Sequence, residues 1–167
     1  GSGTVTGAVS ATVVTAVGLT LLKAATVSGM QIWVSTGQAS SRVGLAIYAA
    51  GTDGRPGSLV YDAGYVATDT SGSKTLTLAA NQSLSAGLYF IATTLNLGTA
   101  PSLYGIASGA GGNTIGQRGA LGDNLIRSGH YFFSTTGGAF TSTPSWQVGG
   151  TTGAVIANVR LVIASVP

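Results

Sequence analysis

The sequence predicts an all-β chain, a single antiparallel β-sandwich of jelly-roll type, and three observations carry that expectation. Apolar residues recur at every second position in run after run. No stretch of ten or more residues shows a helical period with a cap at its start, and the 27 glycines penalise helices further. Between the apolar runs sit clusters of Gly, Ser, Asn and Asp, the chemistry of turns. At 167 residues the chain is expected to form one domain over residues 1–167, long enough to bury a core.

The runs justify the elements in order. Residues 1–22 carry no charge, but Val5, Val9, Ala11 and Val13 interleave with Thr4, Thr6, Ser10 and Thr12. Period two with frequent Thr means a strand and not a membrane helix, and no basic segment precedes it as in a signal peptide. Residues 1–20 are therefore expected to be an N-terminal strand or a stalk-proximal segment. The start at Gly1-Ser2, without Met, reads as a piece of something larger. Met30, Ile32 and Val34 alternate with Gln31, Trp33 and Ser35, so Trp33 is out of phase and is expected to face a second core or a subunit partner. Val43, Leu45 and Ile47 alternate with Gly44, Ala46 and Tyr48. Leu76 and Leu78 alternate with Thr75 and Thr77, and Leu88 to Ile91 is apolar on both sides. The run from Val155 to Ile163 places Val155, Ala157, Val159, Leu161 and Ile163 on one face.

Only 7% of residues are charged, against roughly 25% in ordinary soluble proteins. There is no Glu; the acids are Asp53, Asp62, Asp69 and Asp123. With 44% hydrophobic residues and a mean hydropathy of +0.43, the chain has the means for a core and is not of disordered type. Its surface must be built from Ser, Thr, Asn, Gln and backbone, and so tolerates close contact with copies of itself. The net charge of +3 rests on seven scattered cations, without the clustering that tracks phosphates, so no nucleic-acid partner is expected. The absence of cysteine excludes disulfides and thiolate metal sites.

The stretch GTDGRPGSLVYDAG, residues 51–64, holds two of the four acids. Asp53-Gly54 suits a tight turn with positive φ, and Arg55-Pro56-Gly57-Ser58 suits a type II turn. A calcium loop needs several closely spaced oxygen ligands, and Asp53 has no acidic neighbour before Asp62. Asp69-Thr70-Ser71-Gly72-Ser73 again offers one carboxylate. The stretch reads as a bend between strands, and no metal or cofactor is expected.

This bend, with its flanks, resembles a pattern of bacteriophage structural proteins. A strand of the form L-x-I-Y (Leu45, Ile47, Tyr48) meets a D-G-x-P-G-x-L turn (Asp53, Gly54, Pro56, Gly57, Leu59). An L-x-x-G-L-Y strand follows (Leu84, Gly87, Leu88, Tyr89), and Val27, Met30, Ile32 and Val34 resemble the first core strand of the pattern. The likeness covers roughly residues 20 to 95; where the pattern often has Trp after the last Tyr, this chain has Phe90. The resemblance implies a β-sandwich module at the end of a tail fibre, head fibre or other virion appendage, and by analogy a homotrimer on the particle surface. Similar sandwiches occur in secreted bacterial modules. No catalytic residue comes with the likeness.

The chemistry of an enzyme is hard to assemble. Nucleophilic catalysis needs a base beside a nucleophile, and the sole His130 has Ser128 and Ser134 nearby but no G-x-S-x-G elbow. Glycoside hydrolysis needs two carboxylates about 5 to 9 Å apart, and none of the four Asp carries a surrounding motif. Gly109, Gly111 and Gly112 are followed by Thr114, so the dinucleotide fingerprint fails; Gly72-Ser73-Lys74-Thr75 is not a phosphate-binding loop. A non-enzymatic protein is expected.

Thirteen of the 27 glycines fall between Gly105 and Gly153. That half reads either as long loops and edge strands or as a binding face carried on those loops. Sugar recognition needs aromatic faces for C–H surfaces and planar polar groups for hydroxyls. Tyr104, Asn113, Gln117, Arg118, Asp123, Asn124, Arg127, His130, Tyr131 and Trp146 are the candidate residues. The expectation is a virion appendage domain that recognises a host cell-surface receptor, a glycan above all, without membrane insertion. The alternatives are a capsid decoration or fibre-assembly module without receptor binding, and a carbohydrate-binding module of a secreted bacterial protein.

Overall fold

The computed structural model describes residues 5–107, 130–148 and 155–166. Its strands are β1 (Val5–Ala8), β2 (Val13–Leu21), β3 (Ala25–Thr36), β4 (Arg42–Ala50), β5 (Pro56–Ala67), β6 (Gly72–Leu84), β7 (Gly87–Leu97), β8 (Ser102–Ala107), β9 (His130–Ser134), β10 (Gln147–Val148), β11 (Val155–Ala157) and β12 (Arg160–Ser165). They form two antiparallel sheets packed face to face, a β-sandwich. The first runs β1-β8-β3-β12, with β6 also paired to β3 and β11 to β8; the second runs β10-β9-β2-β7-β4-β5. From β1 to β8 each strand crosses to the opposite sheet, except where β4 and β5 form a hairpin within the second.

The core lies between the sheets. From the first sheet, β3 turns Met30, Ile32 and Val34 inward, joined by Leu78, Leu84 and Leu103; from the second come Val43, Leu45, Ile47, Ile91 and Leu95. Each such side chain stabilises the fold by about 1.5–3 kcal/mol relative to exposure. Strands β4 and β7 are apolar at successive positions because their sheet is covered on both sides. Ala46, Tyr48, Phe90 and Ala92 face outward and form a second buried cluster with Val14, Ala16 and Phe133. The segment after β9 crosses this outer face and roofs it with Phe140 and Trp146. It is tied down by the Leu59 amide donating to the Ser142 carbonyl at 2.9 Å and the Thr135 amide donating to Thr12 at 2.9 Å.

Three local expectations are corrected and a fourth, for Trp33, is narrowed. The N-terminal run is two strands, β1 in the first sheet and β2 in the second, with the chain crossing between them over residues 9–12 and Val9 buried at the crossing. Strand β2 is hydrogen-bonded to β7 on one side and β9 on the other, so this segment is built into the sandwich. The bend at residues 51–55 closes through the Gly51 amide to Arg55 carbonyl and Gly54 amide to Gly51 carbonyl bonds, with Gly54 at φ +74° as its sequence suggests. No type II turn follows, because Pro56 opens β5 directly. Gly57 serves close approach instead: a Cβ there would meet the Gly51 nitrogen at 3.1 Å and the Ala49 carbonyl oxygen at 3.3 Å.

The C-terminal run does not keep one face. It breaks at Asn158 and Val159 into β11 and β12, and β12 shifts register at Val162/Ile163. Ala157 is buried and Val159 and Leu161 pack on the core, while Ile163 is exposed. Trp33 joins neither buried cluster, although a second core exists. That core lies on the other sheet, whereas Trp33 is exposed on the outer face of the first.

Candidate functional site

The outer face of the first sheet carries the most distinctive surface among the described residues. Alternation along β3, with Met30, Ile32 and Val34 in the core, turns Gln31 and Trp33 to the outside. On β8 the same alternation buries Leu103 and exposes Tyr104. Trp33 is 47% and Tyr104 39% exposed, so both rings offer a face to solvent.

A fork in the sheet brings these residues together. Strand β8 pairs with β3 only at Leu103↔Val34 and Ser102↔Thr36, after which β12 takes up the position beside β3, starting at Arg160↔Gln31. Strand β11 meanwhile lies along β8, ending at Ala157↔Gly105. The link between β11 and β12 thus enters the fork, where the Asn158 amide donates to the Tyr104 carbonyl at 3.0 Å. The result is a cleft of about 270 Å³ lined by Gln31, Ile32, Trp33, Tyr104, Asn158 and Arg160. Ile32 is buried, so the cleft is faced by two aromatic rings, two amides and one guanidinium.

Its polar groups are partly oriented. The Gln31 side-chain amide donates to the Thr75 hydroxyl on β6 at 3.2 Å, which leaves its carbonyl oxygen as an acceptor. Arg160 is the one charged residue lining the cleft. The ion pairs of the described residues lie elsewhere, Arg55 with Asp53 at 3.6 Å and Lys74 with Asp69 at 4.0 Å. The described carboxylates also have local duties. Asp53 accepts from the Arg55 amide at 3.1 Å and Asp62 from the Gly64 amide at 2.9 Å, both in turns or bulges of the β4–β5 hairpin. None of them lines the cleft.

Of the residues picked from the sequence, Tyr104 stands in this cleft. Tyr131, on β9 of the other sheet, and Trp146, in the segment that roofs it, are packed edge-on within the outer aromatic cluster. The Phe90–Tyr131 ring centroids are 5.4 Å apart, Tyr48–Trp146 5.0 Å and Phe133–Trp146 4.8 Å. His130 opens β9 opposite Val17, again on that sheet. Asn113, Gln117, Arg118, Asp123, Asn124 and Arg127 lie outside the described residues. The sequence did not nominate Gln31, Trp33, Asn158 or Arg160. The available signal was the phase of β3, since Gln31 and Trp33 share the parity opposite to its core residues.

No protein-family model, curated protein or solved structure matches the chain.

Proposed function

We propose that this chain is a non-enzymatic glycan-recognition module of a bacteriophage virion appendage, and that it binds sugar in the cleft of the first sheet. The observation that carries the binding function is the meeting of Trp33 and Tyr104 with the amides of Gln31 and Asn158 in one open cleft. Aromatic faces receive the C–H surface of a pyranose, and planar amides pair with its hydroxyls. Trp33, Tyr104 and Gln31 stand on strands, and Asn158 is tied to the Tyr104 carbonyl by its backbone amide, which supports pre-organised binding. The turn and edge duties of Asp53, Asp62 and Asp69 favour binding over hydrolysis, because none of these carboxylates flanks the cleft.

The virion setting rests on the resemblance of residues 20–95 to phage structural proteins. The strand orders β1-β8-β3-β6 and β2-β7-β4-β5 favour reading the sandwich as a jelly roll, two interleaved Greek keys of eight strands. The assembly we infer is a homotrimer on the particle surface, in keeping with a chain only 7% charged. Light scattering should then find a species near three times 16.4 kDa.

The binding function is tested by screening the labelled chain and its Trp33→Ala variant on an array of bacterial surface saccharides. Binding that disappears in the variant supports the cleft. Binding that survives unchanged would move the site elsewhere, and binding to purified capsid or fibre proteins alone would favour the decoration reading.

A further inference from the structure

We infer that the ligand of this cleft is an acidic saccharide, whose carboxylate or sulfate pairs with Arg160 while its ring lies against Trp33 and Tyr104. The inference rests on the glycan reading given above and adds the charge of the ligand to it. Arg160 sits directly across the ladder from Gln31 and two residues from Asn158, at the mouth of the fork. It takes part in neither ion pair of the described residues, and the carboxylates nearest in kind are on other elements. Asp53 and Asp62 belong to the β4–β5 hairpin of the second sheet, and Asp69 to the link between β5 and β6.

That charge, paired with no carboxylate among the described residues, decides between ligand classes. Two amides already supply donors and acceptors for the hydroxyls of a neutral sugar. Seating such a sugar would also strip water from the guanidinium without offering a counter-charge, which weakens binding. An acidic sugar offsets this loss. The guanidinium presents paired N–H donors in a plane, the geometry that a carboxylate or sulfate accepts in two parallel hydrogen bonds. The Gln31 carbonyl oxygen, held in place by the bond its amide donates to Thr75, accepts from a hydroxyl of the ligand and fixes which edge of the ring faces the guanidinium. Because Arg160 is exposed, the contribution is screened by salt.

The experiment is calorimetric titration of the full chain with three oligosaccharides of matched length: a neutral glucan, a uronic-acid oligomer and a sulfated oligomer. Each is run on the wild type, Arg160→Gln, Arg160→Lys and Trp33→Ala. At least one acidic oligomer is expected to bind roughly tenfold or more tighter than the neutral one, a preference that Arg160→Gln erases and Arg160→Lys partly keeps. Which acid binds names the group. Equal binding of neutral and acidic oligomers, unchanged in Arg160→Gln, overturns the acidic assignment and leaves the glycan reading standing. Absence of binding to all three, or binding indifferent to Trp33→Ala, overturns the acidic assignment together with the cleft. Unchanged melting of the exposed-residue variants confirms that affinity and not folding has been altered.

Discussion

The Tyr48 hydroxyl donates to the Thr141 carbonyl at 3.0 Å, joining the middle of β4 to the segment that crosses outside its sheet. Tyr48 is fully buried and meets Trp146 edge-on, so the bond sits inside the outer aromatic cluster. Tyr48→Phe leaves the Thr141 carbonyl without this donor and should cost about 1–3 kcal/mol. Trp146→Ala empties the middle of the roof and should cost about 3 kcal/mol. Trp146→Phe should cost less, because the indole N–H is buried with no hydrogen-bond partner among the described residues and nothing is lost with it. Urea midpoints rank the three, and equal costs for the two Trp146 variants would show that the ring is not packed as described.

The same tyrosine predicts how stability varies in alkali. Burial pushes its phenol well above the ordinary value, the hydrogen bond to Thr141 opposes this in part, and the charge of Asp62 adds to the rise. An unfolded tyrosine loses its proton near about pH 10, while the folded one retains it. The folded state then binds more protons, so stability falls as pH rises above about 10 and is indifferent to this residue below that. Tyr48→Phe should start from a lower midpoint and show a shallower decline. Parallel declines in the two proteins would assign the alkaline loss to other groups.

Neighbouring residues on β3 should respond in opposite ways. Ile32 is 1% exposed, and Ile32→Ala should cost about 2–5 kcal/mol. Trp33, the next residue, is half in solvent, and Trp33→Ala should change stability by no more than about 1 kcal/mol. Its effect is expected in saccharide binding. A large destabilisation by Trp33→Ala would mean that the ring is covered in solution, as it would be by a subunit partner.

Ser41 and Thr68 form a buried hydroxyl pair, Thr68 Oγ1 to Ser41 Oγ at 2.9 Å, where the β3–β4 and β5–β6 links meet. The backbone reinforces it, with the Thr68 amide donating to Ser41 at 2.9 Å and the Gln38 amide to Thr68 at 3.1 Å. Thr68→Val strands the serine hydroxyl and should cost about 1–3 kcal/mol. The double variant Ser41→Ala/Thr68→Val should cost clearly less than the sum of the singles, as a double-mutant cycle measures. Additive costs would show that the two hydroxyls are not coupled.

Strands with one buried face were legible because period two reports burial directly, as at Met30, Ile32 and Val34 or Leu76 and Leu78. The apolar run from Leu88 to Ile91 pointed correctly to a strand covered on both sides. What covers it was not legible, since the roof residues Phe140 and Trp146 lie in an irregular segment without a period. Trp146 looked like a binding residue for the same reason, its neighbours being Ser, Pro and Gln. The cleft was hidden more deeply. It depends on β12 replacing β8 beside β3, a pairing between residues more than a hundred positions apart that no local pattern encodes.

The alternation along β3 has an evolutionary consequence. Residues that hold the sandwich together and residues that line the cleft occupy interleaved positions of one strand, yet point to opposite sides of the sheet. A lineage can therefore exchange Gln31, Trp33, Tyr104 or Arg160 while Met30, Ile32, Val34 and Leu103 stay in place. The chemistry of the cleft is then free to wander under selection without eroding the frame that displays it. Remaking the cleft needs only a few codons.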